Sequence, residues 1–116
     1  FGNGIYHRYF VLGRILLRGD FIKYLVYLAV FFQVLNASAY THTGSRTASG
    51  AWPKVGLAAS DHLPFGTQVE LPDGAIVVIA DRFGGGYTDR LDIFMDTEEE
   101  CWQFGRQWIC CKITTP

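Results

Sequence analysis

The stretch Ile76-Val-Val-Ile-Ala-Asp81-Arg-Phe-Gly-Gly-Gly-Tyr-Thr-Asp-Arg90-Leu-Asp92-Ile-Phe-Met95 organises the chain. An apolar run ends in an aspartate, three consecutive glycines follow, and the chain returns through Arg90 to a second aspartate set among apolar residues. Two carboxylates therefore sit at the ends of two strand-like segments, on either side of a flexible loop.

The flanking sequence extends the same pattern. Thr67–Leu71 alternates, with Val69 and Leu71 on one face and Gln68 and Glu70 on the other. Pro72-Asp73-Gly74 is a hairpin-turn signal, and Ala75–Ala80 is the returning strand. Upstream, Ala37–Thr41 and Val55–Ala59 read as short strands, separated by the Gly/Ser/Thr-rich loop Thr43–Gly50. Leu63-Pro-Phe-Gly66 is a turn. Downstream, Arg90–Met95 is a strand and Asp96-Thr97 offers a helix N-cap. Glu98, Glu99 and Glu100 then fall in a first helical turn, where the helix dipole favours negative charge, so they read as a helix start rather than a metal or substrate site. The helix runs Glu98–Phe104 and ends at Gly105. Trp108–Ile113 is the last strand, with Ile109, Cys111 and Ile113 on one face. Many short strands and one short helix in so few residues indicate a small all-β barrel, whose closure removes exposed edges.

The N-terminal third differs. Residues 1–39 carry four basic residues against one acidic, and residues 40–116 carry six basic against ten acidic. The uncharged run Tyr24–Leu35 follows Arg14, Arg18 and Lys23, and Ala37-Ser-Ala39 follows it as a small-x-small pattern. The expectation is an apolar helix over this region, an export signal or membrane anchor in residues 1–39, with the barrel in residues 40–116. The domain would then work in a secreted or cell-envelope location, meeting membrane only through that segment. Its net charge of −4 excludes a phosphate-binding nucleic-acid surface.

No cofactor is expected. There is no Walker loop and no Gly-x-Gly-x-x-Gly at a strand–helix junction. Cys101, Cys110 and Cys111 show no metal-ligand spacing with His7, His42 or His62, so no metal site is read. The cysteines read as small apolar core residues, with a Cys101 disulfide to Cys110 or Cys111 as the other reading.

Taken in order, Ala37-Ser-Ala-Tyr-Thr41, Thr47-Ala-Ser-Gly50, Gly56-Leu-Ala-Ala59, Leu63-Pro-Phe-Gly-Thr67, Ala80-Asp81, Arg90-Leu-Asp92-Ile-Phe94 and Phe104-Gly-Arg106 resemble the three-aspartate (3D) domain of lytic transglycosylase A and of secreted cell-wall proteins. The Thr-Ala-Ser-Gly and Leu-Pro-Phe-Gly-Thr pieces are also similar to the barrel of rare lipoprotein A and the expansins. The resemblance covers nearly all of residues 37–116. It implies a six-stranded double-psi β-barrel, a monomer, with peptidoglycan or a related polysaccharide as partner. It also implies either glycan cleavage or expansin-like binding without cleavage. Two departures stand out. Asp61 lies closer to its turn than the family's first aspartate, and Tyr87 stands where the family carries a mid-loop basic residue.

A lytic transglycosylase needs one carboxyl group, acting first as acid and then as base, where ordinary glycosidases use two. The resemblance places that role on Asp81, with Asp92 and Asp61 as further catalytic candidates. Emerging from an apolar strand end, Asp81 would be partly desolvated and suited to proton donation. Its other reading is a carboxylate bonding backbone amides at the strand-to-loop turn. Asp92 reads as a partner for Arg90, Arg82 or Arg106 that organises the barrel, or as a second catalytic group. Thr47, Ser49, His62, Arg82, Tyr87 and Arg90 are the candidate substrate contacts. Tyr40, Trp52, Phe83 and Tyr87 are aromatics that stack on sugars or pack the barrel.

Overall fold

The computed structural model describes residues 6–11 and 29–116. In chain order the elements are β1 (Tyr6–Val11), β2 (Ala29–Tyr40), β3 (Leu57–Ala59), β4 (Gln68–Glu70), β5 (Ile76–Asp81), β6 (Arg90–Phe94), α1 (Glu98–Phe104) and β7 (Gln107–Thr114). Strands β2 to β7 close a circuit in the order β2–β6–β3–β5–β4–β7 and back to β2. The β2–β6 and β3–β5 pairs are parallel, and the other four are antiparallel. The expected small all-β barrel of six strands with one short helix is thus what the chain forms. β1 lies antiparallel to residues 29–33 of β2, ahead of the point where β6 takes over pairing at Asn36.

The interior follows from alternation. On β2, Gln33, Leu35 and Ala37 are buried, whereas Phe32 is exposed and Val34, Asn36 and Ser38 are only partly buried. Ala58, Leu63, Val69, Val77, Ile79, Leu91, Ile93, Cys111 and Ile113 complete the core. Each large apolar side chain removed from water stabilises by about 1.5–3 kcal/mol. The period of two also fixes register, because a one-residue slip on any strand would turn its core face to solvent.

The short elements lie where the sequence places them. The 72–74 turn closes with Leu71 N–H donating to the Ala75 carbonyl at 2.8 Å, and Gly74 takes φ 92°, a left-handed conformation that favours glycine. Thr97 caps α1 in a capping box: its Oγ1 accepts from Glu100 N–H, and the Glu100 carboxylate accepts from Thr97 N–H. The three glutamates are therefore a helix start. Cys111 is a core residue as expected, Cys110 is exposed, and all three cysteines are free thiols.

β2 differs from the expectation. It starts at Ala29, so the apolar run that resembles a signal core supplies half of a barrel strand, and the expected 39/40 boundary falls inside β2. A fully buried Leu35 explains why that run is apolar. The apolar-helix reading of residues 12–28 lies outside the described residues. No described helix is long and apolar enough to cross a membrane.

Candidate functional site

Asp81 and Asp92 come together because of register. Asp92 of β6 is paired with Ser38 of β2 on one side and with Ala59 of β3 on the other. Ala59 in turn opposes Asp81 of β5. Leu91 and Ala37 point into the core, so Asp92 and Ser38 point out. Asp81 needs a further device. Val77 and Ile79 face inward, and strict alternation would send Asp81 inward after them. The β3–β5 register shifts between Ala58 and Ala59, which inserts Ala80 and turns Asp81 to the outer face. A row Ser38–Asp92–Ala59–Asp81 thus crosses four strands. The two aspartate Cα atoms are two strand spacings apart, about 10 Å.

The two carboxylates have different surroundings. Asp81 Oδ1 accepts from Ala48 N–H and Arg82 N–H, each at 2.8 Å, and so ties the Thr47–Ala51 turn to the end of β5. This is the amide-binding reading of Asp81. Asp92 is half-buried, and burial pushes its pKa up. Ser38 Oγ–H donates to Asp92 Oδ1 at 2.9 Å and, with the Arg90 and Arg106 charges, pulls the other way without reversing the shift, while Asp81 adds to it. Arg82 does not serve Asp92. Its Nη1 donates to the Ser60 carbonyl at 2.8 Å and its guanidinium lies 4.0 Å from the centre of the Phe65 ring.

Beside this row, Ala39, Tyr40, Thr41, Glu98, Cys101, Trp102 and Gly105 line a cleft of about 500 Å³ between β2 and α1. Asp92 lies close enough to raise the pKa of both Tyr40 and Cys101, after burial, the larger cause in each. Tyr40 is pushed to about 12 by burial, Asp81 and Asp92.

Asp61 lies elsewhere and does something else. Its carboxylate accepts four backbone N–H bonds from the glycine loop: Phe83 at 2.7 Å, Gly84 at 2.9 Å, Gly85 at 3.0 Å and Tyr87 at 3.1 Å. Desolvation would raise its pKa, but the four donors outweigh it and bring it to about 2. The loop can present those amides because Gly84 and Gly86 take φ of 90° and 73°. Any Cβ at Gly85 would collide with the Tyr87 ring. The loop's far end is held by Gln33, which is fully buried and donates through Nε2 to the Thr88 carbonyl at 2.9 Å. Gln33 Oε1 faces His62 Nε2 at 2.9 Å, and His62 Nδ1 lies 3.2 Å from Ser60 Oγ. Because Gln33 donates to Thr88, His62 must donate from Nε2. Burial lowers the His62 pKa, helped by Arg82 and opposed by Asp89 and Asp61.

The remaining candidates divide between these two places. The Arg90 guanidinium lies against both the Phe83 and Tyr87 rings, 5.1 and 5.0 Å from their centres, and links the loop to the Asp92 strand. Thr47 is buried in its own turn, with Oγ1 donating to the Ala51 carbonyl, and Ser49 Oγ lies 3.0 Å from it. Two groups were not singled out from the sequence. Ser38 and Gln33 both sit on β2, where the Ala-Ser-Ala-Tyr alternation already places Ser38 beside Tyr40 on one face. Among the described residues no group of three or more His, Cys, Asp or Glu is placed to hold a metal ion. No protein-family model and no curated protein matches the chain.

Proposed function

We propose that the chain is a cell-wall protein of the three-aspartate kind: a double-psi barrel working outside the cytoplasm that cleaves the glycan strand of peptidoglycan as a lytic transglycosylase. Asp92 is its acid and base. The observation that carries this reading is the half-buried Asp92 carboxyl, its pKa raised by burial, beside the 500 Å³ cleft. An acid that keeps its proton into a higher pH range suits proton donation near neutrality. Asp81, by contrast, commits Oδ1 to two backbone amides, which moves the proton-transfer role from Asp81 to Asp92.

The chemistry balances with one carboxyl group. Asp92 gives its proton to the glycosidic oxygen as the bond to the anomeric carbon breaks. The sugar's 6-hydroxyl oxygen attacks that carbon, and the Asp92 carboxylate takes the hydroxyl proton. The product carries a 1,6-anhydro ring, the acid is regenerated and no water is consumed. Arg90 and Arg106 favour the carboxylate formed midway. The second reading, an expansin-like module that binds without cleavage, is favoured by the exposed Tyr87 in place of a basic loop residue.

Digestion of peptidoglycan by the full chain, read by mass spectrometry, decides between them. Anhydro-muramyl products from wild type and from Asp81→Asn, with none from Asp92→Asn, are expected. Retention on cell wall without any product would establish the binding module instead.

A further inference from the structure

Trp102 is 82% exposed, more than any other large apolar side chain among the described residues. Tryptophan is ordinarily well buried, because its ring removes more apolar surface from water than any other side chain. The ring and cation contacts among the described residues all involve other aromatics. Packing within the fold therefore does not account for Trp102, and its neighbours suggest what does. Glu98, Cys101, Trp102 and Gly105 stand at i, i+3, i+4 and i+7, a single stripe of α1 and its cap. All four line the 500 Å³ cleft, opposite Ala39, Tyr40 and Thr41. The stripe carries its own polar group. The capping box uses Glu100, so the Glu98 carboxylate, one turn before Trp102, is left to the cleft. Ala39 and Gly105 add no bulk.

The volume is that of a small-molecule site, roughly 300–1,000 Å³, and so is the combination of an aromatic wall with few polar groups. The charges that act on Cys101 in this cleft, Asp92, Glu100 and Glu98, are all negative, so an anion is disfavoured there. A broad aromatic face beside one carboxylate suits a neutral ligand with an apolar face and donors at its edge. A β-1,4-linked N-acetylglucosamine ring has that form. Its ring substituents are equatorial, so C–H groups cover both faces, while hydroxyls and the acetamido N–H point outward.

We propose that the β2–α1 cleft is a saccharide-binding subsite, in which one N-acetylhexosamine ring stacks on Trp102 and donates a hydrogen bond to the Glu98 carboxylate. The inference rests on the glycan reading above and goes further, by assigning the place where the strand is gripped. The stacked ring need not be the one cleaved. Stacking that is equal in the ground and transition states lowers KM and leaves kcat alone.

The test is a titration of the full chain with a β-1,4-linked N-acetylglucosamine tetramer, followed by the indole N–H signals of Trp52, Trp102 and Trp108 and by calorimetry. The three signals are assigned by single Trp→Phe variants. The Trp102 signal should move saturably while those of Trp52 and Trp108 stay. Trp102→Ala should melt like wild type, since the side chain is exposed, and should weaken tetramer binding about tenfold, with Trp102→Phe in between. Glu98→Gln should also weaken it, because an amide is a poorer acceptor than a carboxylate. A Trp102 signal that stays fixed throughout the titration overturns the inference, as does a Trp102→Ala chain that binds like wild type. An equal response to a galacturonate tetramer or to lysine amide overturns the ligand class. The glycan reading stands apart from these outcomes: it fails if wild type neither cleaves peptidoglycan nor is retained on cell wall, whereas a fixed Trp102 signal in a chain that cleaves removes the subsite alone.

Discussion

Asp61 and Asp92 are carboxylates a few residues from the same end of one small barrel, and their surroundings are opposite. Asp61 meets four backbone N–H donors and its pKa falls to about 2. Asp92 meets burial, one serine hydroxyl and two arginine charges, and its pKa rises. The first environment favours the charged form outright; in the second, burial disfavours that form by more than the serine and the two arginines favour it. A carboxylate that is well satisfied when ionised makes a good clip for a glycine loop. A carboxyl group kept away from its preferred state is held ready for proton transfer, at some expense in stability. The loop and the acid are thus separate parts, joined by Arg90, which stacks on Phe83 and Tyr87 and starts the strand that carries Asp92.

The largest effect should come from removing the strand that supports the Asp92 face. A chain starting at Tyr40 loses β2, and with it one of the two pairing partners of both β6 and β7. Circular dichroism should show no cooperative melt, whereas a chain starting at Ala29 should retain one. Cleavage of the natural chain after Ala39 would have the same consequence, so a folded natural product should retain residues before that point.

Asp61→Ala is next. It leaves four loop amides without their acceptor and should lower stability by about 1–3 kcal/mol, with accelerated amide exchange at Gly84, Gly85 and Tyr87. The pH dependence has a definite sign. A carboxyl whose folded pKa is depressed contributes stability above its ordinary value of 3.8, lost as pH falls toward about 2. Wild type should therefore lose loop protection over that window, and Asp61→Ala should show no such step.

Asp92→Asn should act in the opposite direction. A carboxyl whose folded pKa is raised costs nothing below its ordinary value of 3.8, and costs stability increasingly as pH rises through the folded pKa. The amide avoids that cost and can still accept from Ser38. Thermal melting at neutral pH should show a rise in melting temperature, with glycan cleavage abolished. A fall in melting temperature would place Asp92 with Asp61, as a structural carboxylate.

Much of this was legible in the residues. The 68–81 hairpin is announced by Pro72-Asp73-Gly74, and α1 by Thr97 and the three glutamates, because turns and caps are local chemistry. β2 was harder to read. Ala29–Leu35 is apolar enough to pass for a signal core, and only its pairing to β6 and β7 shows that its alternate residues fill a barrel. The aspartates were legible only in part: the strand-end position of Asp81 suggested its amide-binding role, but its direction and the role of Asp61 were not announced. Asp61 takes its partners 22 to 26 residues downstream, and Asp81 owes its outward direction to a bulge at Ala80 that no residue type announces. Burial of Asp92 depends on its place between β2 and β3, which strict strand alternation cannot anticipate.

The most direct test of the contrast is a carboxyl-carbon NMR titration of the full chain, with Asp61 and Asp92 assigned by their asparagine variants. Asp92 should titrate above the ordinary value of 3.8, and Asp61 at about 2. Titration of Asp92 at or below 3.8 would contradict its assignment as the proton-donating carboxyl group.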